Sequence, residues 1–206
     1  MTTNTSKKAV MALMIVLAII ALVGCATTTL TTHVVGKKPP LCQIRASSQT
    51  ALVLWGTAWR ENQKEVALRE EMASRAISQF FKTSSCYSKV EVQRLASGHE
   101  AIGLSDTEAL EYARSTGVQY DKVIIVRVEE LGPLLMFYLS PILWEGGTEV
   151  VLRVRELDVN TSALEADIST HWKDGGAFVL KGTRTLELDL QAALASVFVG
   201  SAHSSN

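Results

Sequence analysis

Apolar and polar positions fall into blocks of different period along this chain, and each block predicts an element. Residues 9–23 form an apolar segment without a charge. Ala51-Leu52-Val53-Leu54-Trp55-Gly56 is a continuous apolar run closed by glycine, the pattern of a strand buried on both faces. Over residues 61–82, Val66, Ala73, Ile77, Phe80 and Phe81 recur at helical spacing, with Leu68 and Met72 beside them. Glu61, Lys64, Glu65, Arg69, Glu70, Glu71 and Arg75 take the other face, which predicts an amphipathic helix lying on a sheet. Residues 90–95 alternate apolar with polar, as a half-buried strand does. Ser105-Asp106-Thr107-Glu108 has the form of a capping box, opening a helix through Ala109, Leu110 and Ala113 that stops at Gly117. Residues 121–129, DKVIIVRVE, predict a third strand.

Beyond Gly147 the pattern changes. Residues 148–157 (TEVVLRVREL) and 164–172 (LEADISTHW) flank the turn-rich Asp158-Val159-Asn160-Thr161-Ser162, and strands joined so closely pair antiparallel. Lys173-Asp174-Gly175-Gly176 and Lys181-Gly182 mark further breaks, and residues 186–198 give a last amphipathic helix through Leu190, Ala193, Leu194 and Val197. The predicted fold class is α/β: one domain of order β-α-β-α-β-β-β-α, with helices packed on a mixed sheet. No pair of long alternating hairpins is evident, so a self-made pore is not expected.

Residues 131–144, LGPLLMFYLSPILW, stand apart. Pro133 and Pro141 argue against a central strand, and the stretch is too short to cross a bilayer as a helix. Two readings stay open: a loop folded back over one end of the core, or an exposed apolar surface formed by Leu134, Leu135, Met136, Phe137, Tyr138, Leu139, Ile142, Leu143 and Trp144 that meets a bilayer or a partner subunit.

Lys7 and Lys8 precede the first apolar segment, and small Gly24 follows it, the order of a bacterial secretory signal. Leu22-Val23-Gly24-Cys25 resembles the lipobox of bacterial lipoproteins. That resemblance implies acylation of Cys25, cleavage before it, and a mature chain beginning there. The alternative is an uncleaved transmembrane anchor, and either places the remainder outside the cytoplasm. The expected organisation is a cleaved signal peptide at 1–24, the lipidated Cys25 and a flexible tether over 25–40, a single domain at 41–200, and a frayed tail at 201–206. Residues 26–40 are Thr-rich, end in a Pro pair and lack an apolar period, which favours the tether; pairing of the threonines as an edge strand is the alternative.

Removing residues 1–24 from 206 leaves 182, enough for one core. Taking Lys7 and Lys8 from the 20 basic residues leaves 18 against 21 acidic, a balance that offers nucleic acid no basic face. With Cys25 lipidated, Cys42 and Cys86 remain, and an even remainder in an oxidising compartment favours a disulfide over two buried thiols.

No enzyme constellation is present: there is no G-x-S-x-G, H-E-x-x-H, P-loop or dinucleotide fingerprint. His33, His99, His171 and His203 are scattered, so no metal and no cofactor are expected. The lipobox, the element order and the VRELDVNTSALEADIS hairpin together resemble a broad group of bacterial envelope lipoproteins. The group includes the curli secretion lipoprotein, a polysaccharide-export lipoprotein, the outer-membrane activators of penicillin-binding proteins and the amino-terminal domain of the Tol propeller protein. Only Cys25 carries over residue by residue. The resemblance implies a non-enzymatic interaction or scaffold module of the cell envelope, or a subunit of an oligomeric export assembly. Its partners would be the membrane, through the lipid on Cys25, and an envelope protein or further copies of itself. Ala26, where the sorting rule of related lipoproteins has Asp for inner-membrane retention, points to the outer membrane and a periplasm-facing body.

Overall fold

The computed structural model describes residues 26–42, 48–95, 103–138 and 143–200. Its strands are β1 (Thr27–Gly36), β2 (Thr50–Thr57), β3 (Lys89–Arg94), β4 (Lys122–Tyr138), β5 (Leu143–Asp158) and β6 (Ala163–Ala177). Helices α1 (Val66–Thr83) and α2 (Asp106–Ser115) flank β3, and α3 (Leu186–Phe198) closes the chain. The six strands form one mixed sheet in the order β1-β6-β5-β4-β2-β3. The α/β class is as predicted from the apolar pattern, with one strand added at the front.

β2 lies at the centre of the α/β unit, pairing in parallel with both β3 and β4. Continuous apolar runs form here because both faces are covered. Ala51, Val53, Trp55, Ile124, Val126 and Leu152 face α1 and α3, while Leu52, Leu54, Val123, Ile125 and Leu157 face α2. On the first side Phe198 of α3 meets Phe80 and Phe81 of α1 at centroid distances of 5.6 and 5.1 Å. The capping box of α2 forms as its residues predict: the Glu108 amide donates to Ser105 Oγ at 3.2 Å, and the Ser105 amide donates to Glu108 Oε2 at 2.8 Å. Gly117, at φ 73°, supplies the left-handed residue after that helix.

Four expectations are corrected. Within the tether expected at 25–40, residues 27–36 are strand β1, bonded antiparallel to β6 along their whole length. Nine of its ten side chains are exposed, so the strand is held by backbone pairing rather than apolar burial, and an apolar period has no reason to appear. The first helix starts at Val66 rather than near Glu61, because Glu65 sits at φ 53° and the residues before it turn so that Gln63 and Arg60 reach Glu130. Residues 131–138 and 143–144 are not a loop but the far end of the β4–β5 hairpin, whose strands are 17 and 16 residues long. Pro133 is tolerated because β2 ends opposite Val128, leaving β4 an edge strand from there on. Last, the break expected at 173–176 lies inside β6, which pairs with β5 as far as Ala177.

Candidate functional site

The apolar end of the β4–β5 hairpin runs on past β2, which stops opposite Val128, and its two faces follow from strand alternation. Leu135 and Phe137, on one face, are 48% and 63% exposed. Leu134 and Met136, on the other, are half-buried. A strand end that is apolar on both faces leaves apolar side chains in contact with solvent. Trp144, opposite Phe137, is half-buried and stacks edge-on against Phe178 at 5.8 Å. Tyr138 and Leu143 form the last described pair of the hairpin. Leu139 and Ile142 lie outside the described residues, as does Cys25.

Two residues that the apolar pattern did not single out join this surface. Phe178 adopts φ 61°, a left-handed backbone that is costly for an aromatic residue, and its amide donates to Trp144 O at 3.1 Å. Leu180, two residues on, is 77% exposed. The signal was a short apolar triplet, Phe178-Val179-Leu180, between two glycine-containing breaks. Glycine is required where this segment folds back and where strands crowd: a Cβ on Gly147 would come within 2.7 Å of the Gly175 Cα. Lys181 then fixes the segment by ion-pairing with Asp174 and with Asp189, the latter at 3.3 Å, while lying over the Trp172 ring. Burial alone would lower the Lys181 pKa, but these carboxylates hold it above its ordinary value.

The sheet also sets where the chain enters. Thr27, at the start of β1, is level with Gly175 of β6, Gly147 of β5 and Leu134 of β4. The end of β1 that follows Cys25 therefore lies at the same end of the sheet as the hairpin tip. Cys42 and Cys86, both buried, are joined by a disulfide with Cα atoms 5.1 Å apart, tying the segment after β1 to the turn after α1.

Elsewhere the surface offers less. A groove of about 640 Å³ runs between the end of α1 and edge strand β3, lined by Phe81, Tyr87, Val90 and Val92 among others. A smaller hollow of about 260 Å³ is lined by Arg127, Arg153 and Arg155, but these are ion-paired with Glu129, Asp167 and Asp106. The sheet brings His33 and His171, far apart in sequence, onto adjacent strands, where His171 bonds to Glu149 at 2.5 Å. Among the described residues no three His, Cys, Asp or Glu side chains gather as a metal site, and no helix is long and apolar enough to cross a membrane.

No family model and no curated protein matches this chain. Among solved structures it is similar to a PelC dodecamer subunit from Paraburkholderia phytofirmans at 17% identity, covering 82% of this chain and 96% of that one, with a TM-score of 0.42. A lipoprotein from Neisseria meningitidis is similar at 12% identity over 72% of this chain and 96% of that one, with a TM-score of 0.41. A Xanthomonas campestris protein is similar at 11% identity over 78% and 83%, with a TM-score of 0.38. Likenesses with TM-scores this low carry no argument about family, activity, partners or assembly.

Proposed function

We propose that this protein is a lipid-anchored, non-enzymatic module of the bacterial cell envelope, held to the outer membrane through Cys25 and offering its apolar hairpin end as the working surface. One observation supports this reading above the others: β1 begins two residues after Cys25 and is bonded along its length to the sheet, so the anchor enters the folded body directly at the hairpin end. A tethered enzyme needs freedom and a pocket with poised groups. A module that works at the bilayer needs a fixed orientation, which a strand next to the anchor provides.

The test is metabolic labelling with a palmitate analogue, intact-mass analysis and density separation of envelope fractions. Acyl mass on a chain beginning at Cys25, found in the outer-membrane fraction and lost in the C25S protein, is the expected result. A chain that keeps residues 1–24, or one recovered without acyl groups, would sink the proposal.

A second reading, a subunit of an oligomeric export assembly, draws support from β3, an edge strand of the sheet with a groove alongside. Sizing of the detergent-extracted protein separates the two: a discrete ring favours assembly, a monomer favours the module.

A further inference from the structure

We propose that the tip of the β4–β5 hairpin sits in the interfacial layer of the same membrane leaflet that holds the lipid on Cys25. The inference rests on the reading of Cys25 as an anchor and adds to it a depth and an orientation.

The geometry is a comparison of two reaches measured from one row of the sheet. Thr27, Gly175, Gly147 and Leu134 share that row. Cys25 precedes Thr27 by two residues, so even a fully extended chain carries it at most ~7 Å past the row. The hairpin runs on in the same direction for four more residue pairs, ending at Tyr138 opposite Leu143. At the rise of an antiparallel strand that is ~13 Å. The last described pair therefore lies roughly 6 Å or more beyond the acylated residue. With the anchor at the headgroup boundary and β1 holding it to the sheet, a sheet that stands upright on the membrane carries the hairpin tip into the leaflet.

Its chemistry suits that place. No charged residue occurs from Leu131 to Trp144, and Phe137, Tyr138 and Trp144 are the amphipathic or aromatic types that gather at membrane interfaces. Exposed Leu135 and Leu180 add apolar surface at the same end. The backbone limits how deep the tip goes. Past Val128, β4 is paired among the described residues with β5 alone, so its other edge presents backbone groups that hydrocarbon would leave unsatisfied. The hydrated interfacial layer satisfies them, and Pro133 removes one donor from that edge. A depth of about 5 to 10 Å, that of an interfacial amphipathic segment, meets both constraints.

The test uses the full-length acylated protein, carrying Phe137→Trp, in phosphatidylethanolamine and phosphatidylglycerol vesicles with and without lipids brominated along the acyl chain. Trp55 and Trp172, 2% and 6% exposed, are shielded from the bromines, and the emission added by F137W is read as the difference from the wild-type protein, which carries Trp59 and Trp144 as well. We expect the emission added by F137W to fall at least twofold in brominated vesicles, and a Phe137→Asp protein to lose the quenching of Trp144 while remaining vesicle-bound. Acylated, vesicle-bound F137W whose emission ignores bromine overturns the insertion alone. If that emission is instead blue-shifted and concentration-dependent, the tip is docked on a second copy, and the proposal fails too. An unacylated product by intact mass overturns the anchor, and the insertion with it.

Discussion

Replacing Glu156 by Gln should remove a pH dependence built into the core. Glu156 lies on the helix-covered face of β5, 2% exposed, with Lys37 Nζ at 3.6 Å from one carboxyl oxygen and no hydrogen-bond partner for the other among the described residues. Burial is the main cause that pushes its pKa from 4.5 to about 7; Lys37 opposes the rise and neighbouring Glu165 adds to it. Around it stand Lys122, bound to Asp158 and Glu165 at 2.8 and 2.6 Å, and Tyr87, whose hydroxyl pKa is raised by burial and by Glu156 and Glu165.

The sign follows from proton counts. Between pH 4.5 and 7 the folded protein keeps the Glu156 proton and the unfolded chain has lost it, so stability falls as pH rises through that window. At about 1.4 kcal/mol per pH unit, the loss between pH 5 and pH 8 approaches about 3 kcal/mol. Carboxylates with lowered pKa act below this window: Asp158, held at about 2 by its hydrogen bond from Lys122, and Asp167, held down by Arg153, lose their contribution only in acid. The assay is urea unfolding of detergent-solubilised protein at pH 5, 6.5 and 8. The E156Q protein should be about 2 kcal/mol more stable than wild type at pH 8, after allowing about 1 kcal/mol for the lost Lys37 contact, and within about 1 kcal/mol of it at pH 5. Every other ionisable group is common to both proteins, so the difference between their profiles reads the replaced carboxyl. Parallel pH profiles for the two proteins would refute the reasoning.

Two further outcomes follow from the sheet and the disulfide. Gly147→Val places a Cβ against the Gly175 backbone and should cost about 2 to 3 kcal/mol, lowering the midpoint of thermal unfolding by about 4 to 10 °C; an unchanged midpoint would mean that β5 and β6 are not so closely apposed. Reduction of the Cys42–Cys86 disulfide, which closes a separation of 44 residues, should lower stability by about 4 kcal/mol, read as a shift of the urea midpoint with and without reductant; a shift under about 1 kcal/mol would show that the reduced chain is restrained by other means.

Elements held by their own buried face were legible from the chain. Helix α3 runs over 186–198, as its apolar spacing predicts, because Leu190, Ala193, Leu194 and Val197 need only a helical period to reach the core. The capping box at Ser105 and Glu108 is equally local. The candidate surface was legible in composition but not in form. Residues 131–144 are marked by their lack of charge, yet whether they fold back or project depends on β2 ending at Thr57 and releasing β4 as an edge. Phe178 and Leu180 were missed because they reach the hairpin only through a turn whose backbone has no apolar period.

What the sequence determined by itself, then, is the α/β body: two apolar parallel strands, three amphipathic helices and an antiparallel hairpin, each with its burial pattern repeated within a few residues. Tertiary structure alone decided β1 and its consequence. Ten mostly exposed residues are a strand only because β6, whose paired residues come 130 to 148 positions later, presents an edge to them. Hydrogen bonds between distant backbones leave no period in either segment, so the meeting of the Cys25 end with the hairpin tip becomes visible only once the sheet is assembled.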